Sequence, residues 1–421
     1  MTRSRSSGLS RVLGYAVAGQ IVYLLSQFGV LSAISHFRGP EAVGMFGLAI
    51  ALTTPVFIFA NSGLRLSQSI DQGGQFSFGE YAAFRLRLTA LAFVVSLVLG
   101  FASTGDPVVR TIILLVAAAK VFEGATELSY GMFEARGRTD LMFRSLVSRG
   151  ILTLACFVGL ILLNAPIQYA FASQLLIWGA VAIFIDLPAS KRLSGTRYRD
   201  MVMSWTRFRE LFKTVFPVGL GAFLRGLQPS LLRLLVGAFL GIYTLGIYTN
   251  IYYVFHSGSI LSNVLGNSIT ARFAKLGAIG QIAQQNRQAI VIALVLGIAC
   301  MFGIVFTWIF AGWFLGLAFG PETAQHADLL VVMAVALTAR FLSTVSNSLH
   351  YARGGAKTVL AIEFSLVVSI LIAGVLLIPL YGLIGAGLAL LVASAMRLII
   401  GSVAAWRAAP MAALAGAQKA N

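Results

Sequence analysis

Apolar runs of about 20 residues recur along this chain from one end to the other. A bilayer core about 30 Å thick requires about 20 helical residues per crossing, so each run can form a transmembrane helix. The sequence predicts an all-α integral membrane protein with about twelve transmembrane helices. The spans are placed at residues 12–35, 44–63, 86–103, 108–131, 145–163, 167–187, 214–238, 245–266, 288–310, 327–350, 358–379 and 383–405. Because 288–319 is longer than one span, a short interfacial helix is expected after the ninth.

The composition excludes a water-soluble enzyme. Residues of the set AVILMFWYC make up 58% of the chain and charged residues 11%, against about 45–50% and about 25% in soluble domains. The two cysteines lie in apolar runs, the four histidines lack ligand spacing, and neither a GxxxxGK[ST] nor a GxSxG motif occurs. We therefore expect no catalytic residue, no cofactor, no metal and no disulfide.

The basic residues give the orientation. Most of the 31 Lys and Arg residues lie in alternate connections, whereas the opposite connections contain only Arg38 and Arg110. Basic residues are retained in the cytoplasm, so an even number of spans with both termini cytoplasmic is predicted. The net charge of +17 is then mostly a topology signal, and nucleic acid is not needed to explain it.

Two halves of the chain resemble each other. With an offset of 202 residues, Gly19, Gly39 and Gly44 align with Gly221, Gly241 and Gly246. With an offset of 217 residues, the triplet Ala-Arg-Gly at 135–137 aligns with the same triplet at 352–354. Such repeats predict two six-helix lobes related by a pseudo-twofold axis along the membrane normal. The predicted parts are an N-terminal lobe 10–187, a basic cytoplasmic linker 188–213, a C-terminal lobe 214–405 and a cytoplasmic tail 406–421.

After the basic residues near the connections are set aside, five remain that by depth fall within the predicted spans, namely Lys120, Arg225, Arg233, Arg340 and Arg397. A charge at this depth costs several kcal/mol, so each should face the bundle interior or a wet cavity. Arginine binds phosphate in a bidentate manner, and the spans contain too few carboxylates to neutralise all five cations. These residues are the predicted substrate-binding set for an anionic head group, although Arg397 lies where snorkelling to the cytoplasmic surface is an equal alternative.

Lys120, Glu123 and Glu127 share one face of the fourth span. They either neutralise one another, with Lys120 paired to Glu123, or the carboxylates bind a proton or sodium ion while Lys120 faces substrate. Other polar candidates for a cavity are Gln20, Gln27 and Asn61.

The seventh span is the candidate gate, that is, the helix expected to bend or unwind during transport. Pro217 and Pro229 flank Arg225, and such a helix can kink or unwind where it lines a cavity. The alternative is ordinary irregularity without function. The spacing of Gly237 and Gly241 indicates close helix packing.

Four segments resemble Wzx-type polysaccharide flippases, which share a superfamily with the multidrug (MATE) exporters and the lipid II flippase. These segments are 38–47 (RGPEAVGMFG), 240–248 (LGIYTLGIY), 350–357 (HYARGGAK) and 379–387 (PLYGLIGAG). The resemblance implies a two-lobed, twelve-helix protein of the bacterial inner membrane that moves a polyprenyl-diphosphate-linked oligosaccharide to the periplasmic leaflet by alternating access, for surface polysaccharide biosynthesis. It further implies that Arg225, Arg340 and Lys120 match the basic residues of the family's central cavity. The sequence departs from the lipid II flippases in the first span. They carry essential charged residues there, whereas this chain has Gln20 and Gln27.

Three functions are compared. The leading hypothesis is a flippase for an anionic lipid-linked glycan, with membrane lipids, a proton or sodium counter-ion and polysaccharide polymerases or ligases as expected partners. A MATE-like exporter of organic cations is the alternative, but it requires an acidic cavity. A membrane-embedded glycosyltransferase, polymerase or ligase would need long extramembrane loops, and no extracytoplasmic connection exceeds about twenty residues.

Overall fold

The computed structural model describes residues 3–61, 63–70, 75–195, 202–353 and 356–420, and every regular element formed by these residues is helical. In chain order the helices are α1 Arg3–Asn61, α2 Leu64–Ile70, α3 Phe78–Ser103, α4 Pro107–Ala135, α5 Thr139–Leu162, α6 Ile167–Val181, α7 Leu187–Ser194, α8 Trp205–Ala278, α9 Ile282–Phe319, α10 Pro321–Ala324, α11 Ala327–Ala352 and α12 Ala356–Ala420. A π-helical turn, Ala182–Asp186, joins α6 to α7.

The chain is a multi-pass membrane protein. Within the described residues, eight helices are long and apolar enough to cross a membrane. Three of the longest contain a residue with non-helical dihedral angles, at Gly39 in α1, Gly241 in α8 and Gly382 in α12. Each of these glycines lies between two predicted spans, so each long helix consists of two segments. The all-helical class is confirmed, while the total of twelve crossings stays a prediction.

The described chain forms two compact units that divide between Ser230 and Leu231. This division lies inside α8, so the first part of α8 packs with the N-terminal unit. The predicted lobes 10–187 and 214–405 and the linker between them stay predictions, and residues 196–201 of that linker lie outside the described residues.

Arg207 attaches the beginning of α8 to α3 within the N-terminal unit. Its Nε donates to Glu80 Oε1 at 2.7 Å, and one Nη donates to the Gln75 carbonyl at 2.6 Å. Beside this ion pair, the rings of Phe84 and Phe208 pack with their centroids 4.9 Å apart. The segment after the linker is therefore held by both charge and apolar contact.

Small residues allow close helix packing in both units. A Cβ atom on Gly150 of α5 would lie 2.9 Å from Ser26 Oγ of α1, and one on Gly374 of α12 would lie 2.6 Å from Leu235 Cδ1 of α8. Such close approach of helices is typical of membrane proteins, since lipid provides no hydrophobic force between them.

The structure corrects two local expectations. The dihedral angles of α8 are helical at Pro217 and Pro229, so the helix is not unwound there; neighbouring groups in membrane helices can satisfy the backbone that proline frees. Gly241 forms a turn and not a helix-packing contact, because no described residue other than its own chain neighbours lies within 4 Å of a Cβ built on it. The long stretch after residue 288 belongs to one helix, α9, and a short helix of four residues, α10, follows it.

Candidate anion-binding site

A column of stacked rings lies on the second segment of α8, in the C-terminal unit. Tyr248, Tyr252 and His256 follow one another at four-residue spacing, which places them on one helix face. The ring centroids of Tyr248 and Tyr252 are 5.7 Å apart, and those of Tyr252 and His256 are 6.2 Å apart with 19° between the ring planes. Tyr248 and Tyr252 are buried, whereas His256 is exposed.

Arg233 lies against this column. The turn at Gly241 brings the first segment of α8 back beside the second, and Arg233 Cζ lies 4.7 Å from the Tyr252 ring centroid. A guanidinium over an aromatic face gains a cation–π attraction. The Arg233 side chain is nonetheless unusual, because the residue is 8% exposed and its Nε has no hydrogen-bond partner among the described residues.

Arg340 of α11 lies within electrostatic range of Tyr252 and His256. Helices α8 and α11 are joined at this level, since Leu337 packs against Gly258 and the hydroxyls of Ser262 and Thr344 are 2.7 Å apart. Arg340 is half-buried. The column is therefore in contact with the guanidinium of Arg233 and within electrostatic range of that of Arg340.

The C-terminal unit has few carboxylates with which to balance these cations. Residues 231–421 contain three, at Glu322, Asp328 and Glu363; Asp328 lies at the start of the predicted span 327–350, and Glu363 lies inside the predicted span 358–379. Its Oε1 accepts a hydrogen bond from an Arg397 Nη at 2.8 Å, and the two side chains are 2% and 12% exposed. Arg397 is therefore neutralised within the protein. By contrast, Arg233 forms no ion pair with any residue that the structure describes.

In the N-terminal unit the predicted trio on α4 is divided between two clusters. In the first, Lys120 Nζ lies 3.4 Å from Glu123 Oε2, and Arg149 lies within electrostatic range of Glu123. The Arg149 guanidinium packs against aromatic faces, with Cζ 4.2 Å from the Trp178 ring and 5.4 Å from the Tyr23 ring. Lys120 thus has a carboxylate partner.

The second cluster contains Glu127, which pairs with a residue outside the predicted trio. Arg65 donates to Glu127 Oε2 at 2.9 Å and to Glu134 Oε1 at 2.6 Å. Nearby, Arg85 donates to Asn61 Oδ1, so this predicted cavity amide is already bonded to a cation. The Glu123 and Glu127 carboxylates are therefore each paired with a cation, whereas Arg85 and Arg149 are buried and form no ion pair with a residue that the structure describes.

The remaining predicted residues belong to the N-terminal unit. Gln20 is exposed, while Gln27 is half-buried and its Nε2 has no partner among the described residues. Arg225 is exposed and belongs to the N-terminal unit, so it does not share the buried environment of Arg233.

Several important residues were missed by sequence reasoning. Arg85 and Arg149 are 4% and 2% exposed, yet the basic-residue pattern assigned both to cytoplasmic connections. Arg149 falls inside the predicted span 145–163, and this position was the signal for its burial. Asp186, which is fully buried and accepts a hydrogen bond from Ser145 at 2.9 Å, was also missed. The ring column could have been found from its four-residue spacing.

Comparison with known proteins relates the chain to one curated relative and to a group of transporter structures. It is 24% identical over 396 residues to the capsular polysaccharide biosynthesis protein CapF of Staphylococcus aureus, covering 91% of this chain and 96% of the relative. No protein-family model matches the chain.

Solved structures show the fold. An inward-facing multidrug resistance MATE family transporter of the MOP superfamily superimposes with a TM-score of 0.72 at 14% identity, over 93% of this chain and 95% of that one. A MOP superfamily transporter from Pyrococcus furiosus, described as having a binding pocket of reverse polarity, superimposes with a TM-score of 0.64 at 14% identity, over 96% of both chains. The chain therefore has the fold of these transporters, and its sequence is similar to that of CapF over most of its length.

Proposed function

We propose that this protein is a flippase that carries a polyprenyl-diphosphate-linked oligosaccharide from the cytoplasmic to the periplasmic leaflet of the bacterial inner membrane, with both termini in the cytoplasm. The observation that carries the proposal is Arg233, a buried guanidinium with no carboxylate partner among the described residues. Arg340 adds a second cation within electrostatic range of Tyr252 and His256.

The charge balance favours an anionic cargo. A buried cation without a counter-charge is unfavourable by several kcal/mol, so it is retained where it serves a function. A diphosphate supplies both the missing negative charge and the oxygen acceptors for a bidentate guanidinium contact. The head group therefore binds at Arg233 and Arg340, while the polyprenyl chain stays in the apolar part of the bilayer.

The known relative supports the same class of cargo. CapF is described as a capsular polysaccharide biosynthesis protein. A flippase in such a pathway receives its lipid-linked glycan on the cytoplasmic side and supplies a polymerase or ligase on the opposite side. Lobe rocking of the kind that moves substrates through MOP-type repeats provides alternating access.

Coupling to a proton or sodium ion is assigned to the carboxylates of α4. Glu123 faces Lys120, and Glu127 faces Arg65. An ion can bind either carboxylate only if the cationic partner moves away, so ion binding is linked to a rearrangement of side chains in the N-terminal unit.

A MATE-like exporter of small organic molecules is the second candidate, because the fold of a multidrug transporter matches this chain with a TM-score of 0.72. An exporter of organic cations needs carboxylates at its binding site. Among the described residues no carboxylate forms an ion pair with Arg233. This favours an anionic cargo over an organic cation.

The test is transport by purified protein in proteoliposomes loaded with a polyprenyl-diphosphate oligosaccharide. We expect Arg233→Gln to reduce the flipping rate about 30-fold, equivalent to about 2 kcal/mol, because a desolvated ionic contact with the head group is lost. The matched control is Arg287→Gln, which removes the same charge from an exposed position in the same unit. Equal rates for wild type and Arg233→Gln would refute the proposal, and transport of organic cations by the wild type would support the second candidate.

A further inference from the structure

His256 is the exposed end of a ring column whose other members are buried. It is the third residue of the series after Tyr248 and Tyr252, which are 0% and 4% exposed. His256 is an exposed residue of the predicted span 245–266, and one face of its ring is occupied by Tyr252, so the other face is the one that a ligand can contact.

The imidazole of His256 is nearly parallel to the Tyr252 ring, with 19° between the planes. The backbone at this point has its own contacts, since the carbonyl of His256 accepts a hydrogen bond from Ser259 Oγ at 2.7 Å and Leu337 of α11 packs against Gly258, two residues further along the helix. One face of the imidazole is therefore turned toward Tyr252 and the other away from it.

The position of His256 relative to the cations defines what it can contact. Arg233 lies over Tyr252 with Cζ 4.7 Å from the ring centroid, and His256 lies one ring further along the column at 6.2 Å. Arg340 is in electrostatic range of both rings. A ligand whose anionic part is bound by the two guanidinium groups would place the adjoining part of its structure beside the imidazole.

We propose that the exposed face of His256 stacks against the first sugar of the lipid-linked glycan, the one attached to the diphosphate that Arg233 and Arg340 bind. The inference rests on the proposed function and names the residue that recognises the sugar end of the head group. A pyranose ring has an apolar face of C–H groups that packs on an aromatic ring, and its hydroxyls remain free for hydrogen bonds. Guanidinium groups beside an exposed aromatic ring match a phosphorylated sugar better than either a bare anion or an apolar drug.

The stacking role is tested by equilibrium binding to the purified full-length protein in nanodiscs with two probes. One probe is a polyprenyl diphosphate that carries a single N-acetylhexosamine, and the other is the polyprenyl diphosphate without sugar. We expect His256→Ala to weaken binding of the glycosylated probe about fivefold to tenfold and to leave the bare diphosphate unchanged. His256→Phe should retain most of the affinity for the glycosylated probe, because it preserves the ring.

Two further variants make the result specific. His256→Gln keeps hydrogen-bonding groups but removes the ring, so it should behave like His256→Ala. The control Ser257→Ala alters the neighbouring exposed position, whose hydroxyl bonds only its own helix backbone among the described contacts, and should bind both probes as the wild type does.

The outcomes separate this inference from the proposed function. His256 does not stack on the sugar if His256→Ala weakens the binding of both probes equally. The same follows if His256→Gln keeps the affinity for the glycosylated probe and His256→Phe loses it. In either case the flippase proposal stands. If Arg233→Gln leaves the affinity for both probes unchanged, the head-group site itself is wrong, and the stacking proposal fails with it.

Discussion

Gly39 and Gly241, which are 202 residues apart, adopt almost the same backbone conformation. Their φ and ψ angles are 76° and 175° for Gly39, and 82° and 174° for Gly241. The second pair of aligned positions agrees as well, since Arg136 has φ −97° and ψ 2°, and Arg353 has φ −98° and ψ 8°. The repeat inferred from the sequence therefore corresponds to repeated local structure at both offsets.

The conformation of Gly241 predicts a specific sensitivity to substitution. This region of φ and ψ is accessible essentially only to glycine, and forcing another residue into it costs about 1–3 kcal/mol. Apart from its own chain neighbours, no atom of the described residues lies within 4 Å of a Cβ built on Gly241, so the cost of Gly241→Ala is conformational and not steric. We expect a lower apparent Tm in detergent for this variant.

Gly303→Ala is the control for that measurement. Gly303 also has no atom within 4 Å of a built Cβ, but it lies inside α9 with helical geometry. Alanine is favoured over glycine in a helix by about 1 kcal/mol, so this variant should be unchanged or more stable. A Gly241→Ala protein as stable as Gly303→Ala would show that the turn at residue 241 does not require glycine.

The ion pair between Glu363 and Arg397 predicts a non-additive effect. Glu363→Met leaves the Arg397 guanidinium in a buried position without its counter-charge, and breaking a buried pair in this way costs about 3–5 kcal/mol. Replacing both residues by Met removes the unpaired charge and should restore much of the lost stability. Thermal unfolding of the two single variants and the double variant measures the coupling, and simple addition of the single effects would contradict it.

Arg149 should not be replaceable by lysine. Its planar guanidinium contacts the faces of Trp178 and Tyr23, and an ammonium group cannot stack on two rings in this way. We expect Arg149→Lys to lower the stability of the protein by about 1–2 kcal/mol, although the charge is kept. Arg144→Lys is the control, since Arg144 is an exposed residue of the same helix; an equal effect at both positions would exclude the stacking contribution.

The contact between Glu80 and Arg207 predicts an acid-dependent loss of stability outside the predicted spans. The hydrogen bond from Arg207 holds the pKa of the Glu80 carboxyl below its ordinary value of 4.5. Because the folded pKa is the lower one, the contact stabilises the protein fully above pH 4.5 and is lost as the pH falls through the folded pKa. Apparent Tm measured from pH 7 downwards should therefore fall less steeply for Glu80→Gln than for the wild type. A variant with the wild-type slope would exclude this linkage.

The fold was more predictable from the sequence than the site. Hydropathy located the helices because a lipid-facing segment must be apolar along its whole length. The partner of each charge was not predictable, because the spacing on one helix does not reveal which helix packs beside it. Thus Glu127 was grouped with Lys120 but pairs with Arg65 from another helix, whereas the i, i+3 pair of Lys120 and Glu123 is local and was correctly considered.

Arg233 and Arg340 should differ from Arg225 in how strictly they require arginine. Arg233 is buried against Tyr252, so Arg233→Lys keeps the charge but loses both the ring contact and the bidentate geometry toward a phosphate. We expect transport of the lipid-linked glycan to fall about tenfold for Arg233→Lys and Arg340→Lys, corresponding to about 1.4 kcal/mol. Arg225 is exposed, so lysine can satisfy a purely electrostatic role there, and Arg225→Lys should transport at nearly the wild-type rate.

The measurement is the flipping rate of each variant in proteoliposomes at low and at high salt, because screening weakens exposed charges more than buried ones. If lysine is tolerated equally at all three positions, the cations act only through a diffuse positive potential, and the head group is not bound by an oriented guanidinium at Arg233.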